Sequence, residues 1–262
     1  MIKAMNTAAT GMVAQQTNID NIANNLANVN TTAFKKSRVE FQDILYQNFR
    51  RAGTPSAVGA IIPTNLDIGY GSRAVATMRE FSPGSVQITK SATDMAIGGN
   101  GFFQVQMPDG TTGYSRDGSF KLSADGQFVT SDGFIMTPNI TVPQDATDLS
   151  IGIDGQVFVL IVGNDTPQQV GQIELAKFIN PAGLSAVGHN IFIETPASGT
   201  PITGNPGSEG FGPVEQGHLE TSNVSVVDEM VNMIMAQRAY EINSKVIQTS
   251  DDMTQVVNNL KR

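Results

Sequence analysis

Catalysis needs nucleophiles, metal ligands or paired acids, and this chain supplies few of them. Its only histidines are His189 and His218, and it has no cysteine. Thiol nucleophiles, thiolate zinc sites, iron–sulfur clusters and disulfides are excluded together, and little remains for a histidine-based metal site or a catalytic triad. Carboxylates are more numerous, but Asp228/Glu229 and Asp251/Asp252 are sequence neighbours. On a helix such pairs point in different directions and read as solvated charges, not as an acid–base pair. Gly69-Tyr70-Gly71-Ser72-Arg73-Ala74 has the loose form G-x-G-x-x-A. A dinucleotide site needs a strand before it and a helix after it, whereas Val75–Phe81 is strand-like, so the segment reads as a turn. Asp-Gly occurs five times, at Asp109, Asp117, Asp125, Asp132 and Asp154. Calcium loops need denser alternating acids, so these dipeptides read as hairpin turns. No G-x-x-x-x-G-K, H-E-x-x-H or G-x-S-x-G is present. The expectation is no catalytic residue, no cofactor and no metal.

The bulk properties narrow the field further. The chain has 262 residues, and its 16 basic against 24 acidic side chains give a net charge of −8. A nucleic-acid partner is disfavoured, because binding one needs a basic face that displaces counterions. Forty per cent hydrophobic residues suffice for a core. No apolar run approaches the ~20 residues of a membrane-spanning helix, so direct membrane insertion is not expected. Near the amino terminus, Asn6, Thr7, Thr10, Gln15 and Gln16 interrupt any apolar stretch after Lys3, which argues against a cleaved leader.

The helix breakers divide the chain. All 12 prolines and 25 of 26 glycines lie between Gly53 and Gly217, leaving Gly11 alone in the flanks. Proline costs about 3 kcal/mol inside a helix and glycine about 1, so helical ends and a non-helical middle are predicted. In the first end Met5, Met12, Ile19 and Leu26 recur every seven residues, joined by Ala8, Ile22 and Val29. They form one apolar stripe on a helix that ends near Asn28–Thr32. The opposite face is amide-rich, with Asn18, Asn21, Asn24, Asn25 and Asn28. In the last end Met235, Ala239, Ile242, Val246, Thr249, Met253, Val256 and Leu260 alternate spacings of four and three. Val224, Val227, Val231 and Ile234 continue that stripe one position out of phase. Ser222 or Asn223 is the expected N-cap, with Asp228 and Glu229 at the positive end of the helix dipole and Lys261 and Arg262 at the negative end. Arg238 can pair with Glu241 or with a neighbouring subunit.

The middle reads as antiparallel β. Strands are expected at 102–107, 119–122, 127–130, 134–136, 156–162, 172–179 and 190–194, with a connector between Gly53 and Gly71. The fold class is therefore α+β: long N- and C-terminal helices pairing as a coiled-coil-like unit, with a central, mostly antiparallel all-β domain. The expected division is 1–32 for the N-terminal helix, 33–75 for a connector, 76–220 for the β domain and 221–262 for the C-terminal helix. Isolated helices of this length are marginal in water, so each stripe must be covered. Pairing the ends covers part of each stripe. The remainder favours contact with further copies, and a head-to-tail contact that does not close builds a filament. A monomer whose terminal helices fold back onto the β domain is the alternative.

A family resemblance follows from specific segments. Asn24-Asn25-Leu26-Ala27-Asn28-Val29-Asn30-Thr31-Thr32-Ala33-Phe34-Lys35 resembles the N-terminal signature of bacterial flagellar rod and hook proteins. Ser222-Asn223-Val224 and Gln237-Arg238-Ala239-Tyr240-Glu241 resemble the C-terminal signature. Gly101-Phe102-Phe103-Gln104-Val105 and Tyr114-Ser115-Arg116-Asp117-Gly118-Ser119-Phe120 resemble the β-domain blocks. The length and the Tyr46–Arg73 segment are similar to the distal-rod branch. Ala33 departs from the pattern, since the family usually has glycine there, and a positive φ at that position would alter the turn after the first helix. The resemblance implies a non-enzymatic subunit of a hollow helical shaft that carries torque from motor to hook. It implies terminal helices forming an inner tube around the export channel, and a β domain facing the periplasmic and outer-membrane ring proteins. Proximal-rod and hook subunits are the implied neighbours, and the flagellar export apparatus the implied route out of the cytosol. The Tyr46–Arg73 segment resembles an insertion that locks neighbouring subunits. A hook-like or proximal-rod element of the same family is the nearer alternative; a periplasmic hydrolase, suggested only by surface acids, is the distant one.

Overall fold

The computed structural model describes residues 2–53, 55–57, 60–163 and 166–260. These fall into two compact units. One comprises Met1–Leu26, Ser37–Met78 and Ser225–Arg262; the other comprises Ala27–Lys36 and Arg79–Val224.

The first unit is built on two helices, α1 (Ile2–Ala27) and α2 (Val226–Leu260). At 1.5 Å per residue they are about 39 and ~52 Å long. They lie antiparallel, since the early Gly11 meets Asn243 and the later Asn25 meets Glu229. Each pair of contacts is fourteen residues apart, two heptads on either helix. Gly11 has a reason to be the one glycine in the helical ends: a Cβ there would sit 2.9 Å from Asn243 Nδ2. The rest of the unit is made of two-stranded ribbons. Ser37–Asp43 pairs with Ser72–Arg79, Tyr46–Arg50 antiparallel with Leu66–Gly69, and Pro55–Ala57 with Ala60–Ile61. The stretch expected as connector is thus itself strand. Of the G-x-G-x-x-A segment, Gly71 takes φ +108° against Thr10, and strand follows from Ser72 onward.

Two helix-end details differ from expectation. The first helix stops at Ala27, so Val29 lies in the following turn and not on the stripe. The cap of α2 is Ser225 and neither Ser222 nor Asn223: its carbonyl accepts from Glu229 N–H and its Oγ from Asp228 N–H at 3.4 Å. Ser222 and Asn223 are engaged elsewhere, Asn223 Oδ1 accepting from Lys36 N–H at 2.8 Å. Lys261 and Arg262 lie outside the described residues.

The second unit is a β domain. Strand Phe102–Gln106 is its centre, paired antiparallel with Thr112–Ser115 on one side and with Ile135–Thr137 and Leu175–Lys177 on the other. The sheet continues through Ile191–Ile193 to Ser185–Gly188, and through Phe128–Val129 to Lys121–Leu122. A separate antiparallel sheet joins Ala146–Ile151, Gln156–Ile161 and Gln168–Gln172. Phe103, Val105, Phe120, Phe128, Val157 and Leu175 fill the main core. A second cluster is aromatic, with Phe81, Phe102, Tyr114, Phe178 and Phe192 in edge-to-face contact.

Four of the five Asp-Gly dipeptides make the expected hairpin turns, with Gly110, Gly126, Gly133 and Gly155 at positive φ. The fifth does not. Gly118 has no positive φ but is pressed against the backbone, where a Cβ would fall 1.6 Å from Met95 O. Asp117 there folds an Asx turn, accepting from Ser119 N–H at 3.0 Å.

Residues 27–36 belong to this unit. Ala33 takes φ +55° while buried, and its N–H donates to Glu220 O at 2.8 Å. The turn forms with alanine in place of the family glycine. Relief of left-handed strain, about 1 kcal/mol, offsets loss of a buried methyl, about 0.8 kcal/mol, so Ala33→Gly is expected to be nearly neutral. Ala33→Val adds a β-branch to a left-handed residue in a filled site and is expected to cost about 2 kcal/mol or more in urea unfolding. An unchanged midpoint for Ala33→Val would refute the strain assignment.

Candidate assembly surface

Helix α2 presents two different faces. Glu229, Ala236, Asn243 and Ser250 recur every seven residues, and Met233, Ile247 and Thr254 lie beside them. This line is buried or half-buried and is the face in contact with α1, where small and amide side chains let the backbones approach closely. The expected apolar stripe is elsewhere. Val227, Val231, Ile234, Met235, Ile242, Val246, Met253, Val256 and Leu260 are all exposed, from 38% at Val246 to 81% at Leu260; Ala239 is half-covered, and Val224, expected on the stripe, is buried ahead of the helix. At ~100° per residue the stripe is centred well over a third of a turn from the α1-facing line. Apart from Val246, which lines a pocket with Ile2, Ala4 and Ala8 of α1, the stripe points away from the helix pair. So long an exposed apolar row is a candidate contact surface.

On α1 the seam behaves differently. Met5, Met12, Ile19 and Leu26 are half-buried and Ile22 is buried, as is Ala8. The amide face is partly an internal anchor. Asn21 Nδ2 and Asn25 Nδ2 both donate to Ser37 O, at 2.7 and 2.9 Å. Asn25 Oδ1 accepts from Ser37 N–H at 3.0 Å, and Asn25 Nδ2 also donates to Glu229 at 3.2 Å. Asn25 is 1% exposed, so one amide ties strand, α1 and α2 together. Glu229 is accordingly buried and hydrogen-bonded, which corrects its reading as a solvated charge; Asp228, Asp251 and Asp252 are exposed. Asn25→Ala leaves the Ser37 N–H and the Glu229 carboxylate without this partner. We expect it to cost about 2 kcal/mol in denaturant unfolding of the helix pair. A loss below ~0.5 kcal/mol would remove the anchor assignment.

The other motif residues divide between the units. Asn24, Ala27 and Asn30 are exposed, Asn28, Thr31 and Phe34 are half-buried, and Thr31 Oγ1 donates to Asn28 Oδ1 at 3.1 Å. Ser222 and Val224 are buried. Gln237, Arg238, Tyr240 and Glu241 lie exposed on α2, and no ion pair joins Arg238 to Glu241 among the described residues. The ribbon Tyr46–Arg50/Leu66–Gly69 adds more exposed apolar side chains, notably Leu45, Tyr46, Phe49 and Ile68.

Within the β domain the motif blocks meet at a buried ion cluster. Lys35 Nζ lies 2.6 Å from Glu220 Oε1 and donates to Ser82 O at 2.8 Å. Arg116 Nε lies 3.3 Å from Glu220 Oε2, while its terminal nitrogen donates to Gly99 O and Gly101 O. The Gly84 N–H also donates to Glu220. Burial holds the Lys35 ammonium and the Arg116 guanidinium below their usual ranges, with the Glu220 charge opposing in both cases. Lys35 comes from the N-terminal motif, Arg116 from a β-domain block and Glu220 from the strand just before the C-terminal motif. Two cations balanced by one carboxylate, closed off from solvent, make a structural clasp.

Known proteins match this chain in sequence along its length. Residues 5–35 match the family model for the flagella basal body rod protein, 96–159 that for the flagellar hook protein FlgE/F/G D1 domain, and 215–260 that for the flagellar basal body rod FlgEFG protein C-terminal region. The flagellar basal-body rod protein FlgG of Borreliella burgdorferi is 54% identical over 100% of both chains. The same-named protein of Caulobacter vibrioides is 47% identical over 99% of this chain and 100% of its own. The chain belongs to the FlgG family of flagellar basal-body rod proteins. It is a structural subunit of the flagellar rod. The flagellar hook protein FlgE of Helicobacter mustelae matches less fully, 38% identical over 52% of this chain and 30% of its own length. The rod assignment is therefore favoured over the hook alternative along the whole chain.

Proposed function

We propose that this chain polymerises into the hollow helical shaft of the distal rod, carrying torque from the motor to the hook. The exposed stripe of α2 supports this reading, because a helix pair that leaves its most apolar row in water gains by stacking on further copies. In the proposed shaft the terminal helices form the inner tube, with α2 towards the export channel. The β domain faces the periplasmic and outer-membrane ring proteins, and proximal-rod and hook subunits adjoin the two ends. The rod crosses the periplasm to the outer membrane. Subunits reach it unfolded through the flagellar export apparatus. The role is mechanical and involves no catalysis. The assembly seam comprises the α2 stripe with Met5, Met12, Ile19, Ile22 and Leu26 of α1.

Deleting residues 1–26 or 225–262 tests the reading. Each deletion is expected to abolish polymerisation while leaving the thermal transition of the β domain in place. Straight tubes built by either truncated protein would overturn the inner-tube assignment. Deleting residues 46–71 separates the shaft from a bent, hook-like polymer. Rod-type locking through that segment predicts that the deletion changes filament curvature under the electron microscope.

A further inference from the structure

The chain has 11 methionines, of which Met78 and Met230 are exposed outside the α2 stripe. Met95 and Met136 are fully buried in the β-domain core, whereas Met235 and Met253 are 65% and 52% exposed in the middle of the apolar stripe. They are eighteen residues apart, five turns of helix, so their thioethers lie on one meridian of α2 among Ile242, Val246 and Val256. We infer that Met235 and Met253 are oxidation sites whose state controls whether a subunit can be incorporated, a proposal that rests on the assembly role given to the stripe above.

The chemistry needs only a hydroperoxide. The thioether sulfur attacks one peroxide oxygen, the O–O bond breaks and an S–O bond forms. With hydrogen peroxide, the leaving hydroxide takes up the proton shed by the transferred oxygen and departs as water, sulfur losing two electrons and the peroxide gaining them. An unbranched apolar side chain becomes a polar sulfoxide with a strong acceptor oxygen. In free water that change costs the subunit little, because both side chains already face solvent. Pressed into an apolar contact it strands the new oxygen without a donor. The effect falls on assembly and spares the fold. Incorporation in turn covers both sulfurs, so the polymer resists the oxidant that its free subunits do not. Methionine suits a contact repeated in slightly different environments, being flexible and polarisable; reactivity before burial comes with it.

The test uses the purified full chain, hydrogen peroxide and a methionine sulfoxide reductase. Peptide mass spectrometry of briefly treated subunits is expected to find sulfoxide at Met235 and Met253 well before Met95 or Met136. Those subunits should need at least tenfold higher concentration to polymerise, reductase treatment should restore them, and peroxide should oxidise both residues at least tenfold more slowly in preformed polymer. M235L/M253L, measured against its own untreated sample, should lose most of the peroxide sensitivity. Unimpaired polymerisation of subunits carrying both sulfoxides would overturn the proposal, as would equal oxidation rates in subunit and polymer. If untreated protein forms no polymer at any concentration, the assembly reading itself fails, and this inference with it.

Discussion

Glu220→Gln is expected to destabilise the β domain by roughly 3–5 kcal/mol, the usual cost of leaving a buried charge without its partner. The glutamine can still accept from Gly84 N–H, so the loss isolates charge from shape. Lys35 and Arg116 then share a buried pocket with no anion between them. The pH dependence has a fixed sign. Burial places the Lys35 pKa below 10.5 in the native protein, against the raising influence of Glu220. Removing the carboxylate lowers it further. Between that value and the unfolded one near 10.5, the unfolded chain binds more protons, so stability rises with pH. The deficit of Glu220→Gln should be largest at neutral pH and shrink as pH approaches 10.5. Recovery stays partial, because Arg116 keeps its charge. Urea titrations at neutral and alkaline pH read this directly. Replacing all three groups by apolar residues of similar volume, K35M/R116L/E220L, should come much closer to the native midpoint than Glu220→Gln alone. A Glu220→Gln midpoint equal to the native one would show that the cluster carries no net charge strain.

Ile242→Asp is the second large effect, and it separates folding from assembly. Ile242 is exposed on α2, so the substitution should move the unfolding free energy of the isolated chain by no more than about 0.5 kcal/mol. In a polymer contact it forfeits the burial of an isoleucine, about 1.5–3 kcal/mol, and adds an unpaired carboxylate. With 1.4 kcal/mol per tenfold, the concentration needed for polymerisation should rise at least a hundredfold. Circular dichroism and sedimentation measure the two halves. The same substitution at Ala236, on the α1-facing line, should do the reverse and melt the helix pair first. Polymerisation of Ile242→Asp at native concentration would remove the stripe from the assembly seam.

The contrast between those two positions shows what could be read from spacing and what could not. Hydrophobic periodicity located the α2 stripe residue by residue, because Val231, Ile242 and Leu260 are apolar wherever they point. It was silent on which face meets α1. The Glu229-Ala236-Asn243-Ser250 row is small and polar, yet its strict interval of seven was available as a signal and pairs with Gly11 and Asn25 across the contact. The hairpin turns at Gly110, Gly126, Gly133 and Gly155 were legible because only glycine adopts such φ cheaply. Gly118 was misread because a close backbone approach leaves the same residue type in the sequence. Among the ribbons of residues 37–78 the run from Val75 read as strand, whereas Pro55–Ala57, Ala60–Ile61 and Leu66–Gly69 were hidden by their shortness and by adjoining breakers. Lys35, Arg116 and Glu220 stood inside or beside recognisable motifs, but their mutual burial depends on residues 185 positions apart, which no local pattern encodes.

That separation has a consequence in time. A chain made from its amino end presents two cations, at positions 35 and 116, long before their shared counterion exists. Until residue 220 arrives, closing the pocket around them is penalised, and the domain stays pliable through most of its emergence. Its last few strands act as the latch, so completion of the polypeptide and consolidation of its largest folded part become nearly the same event.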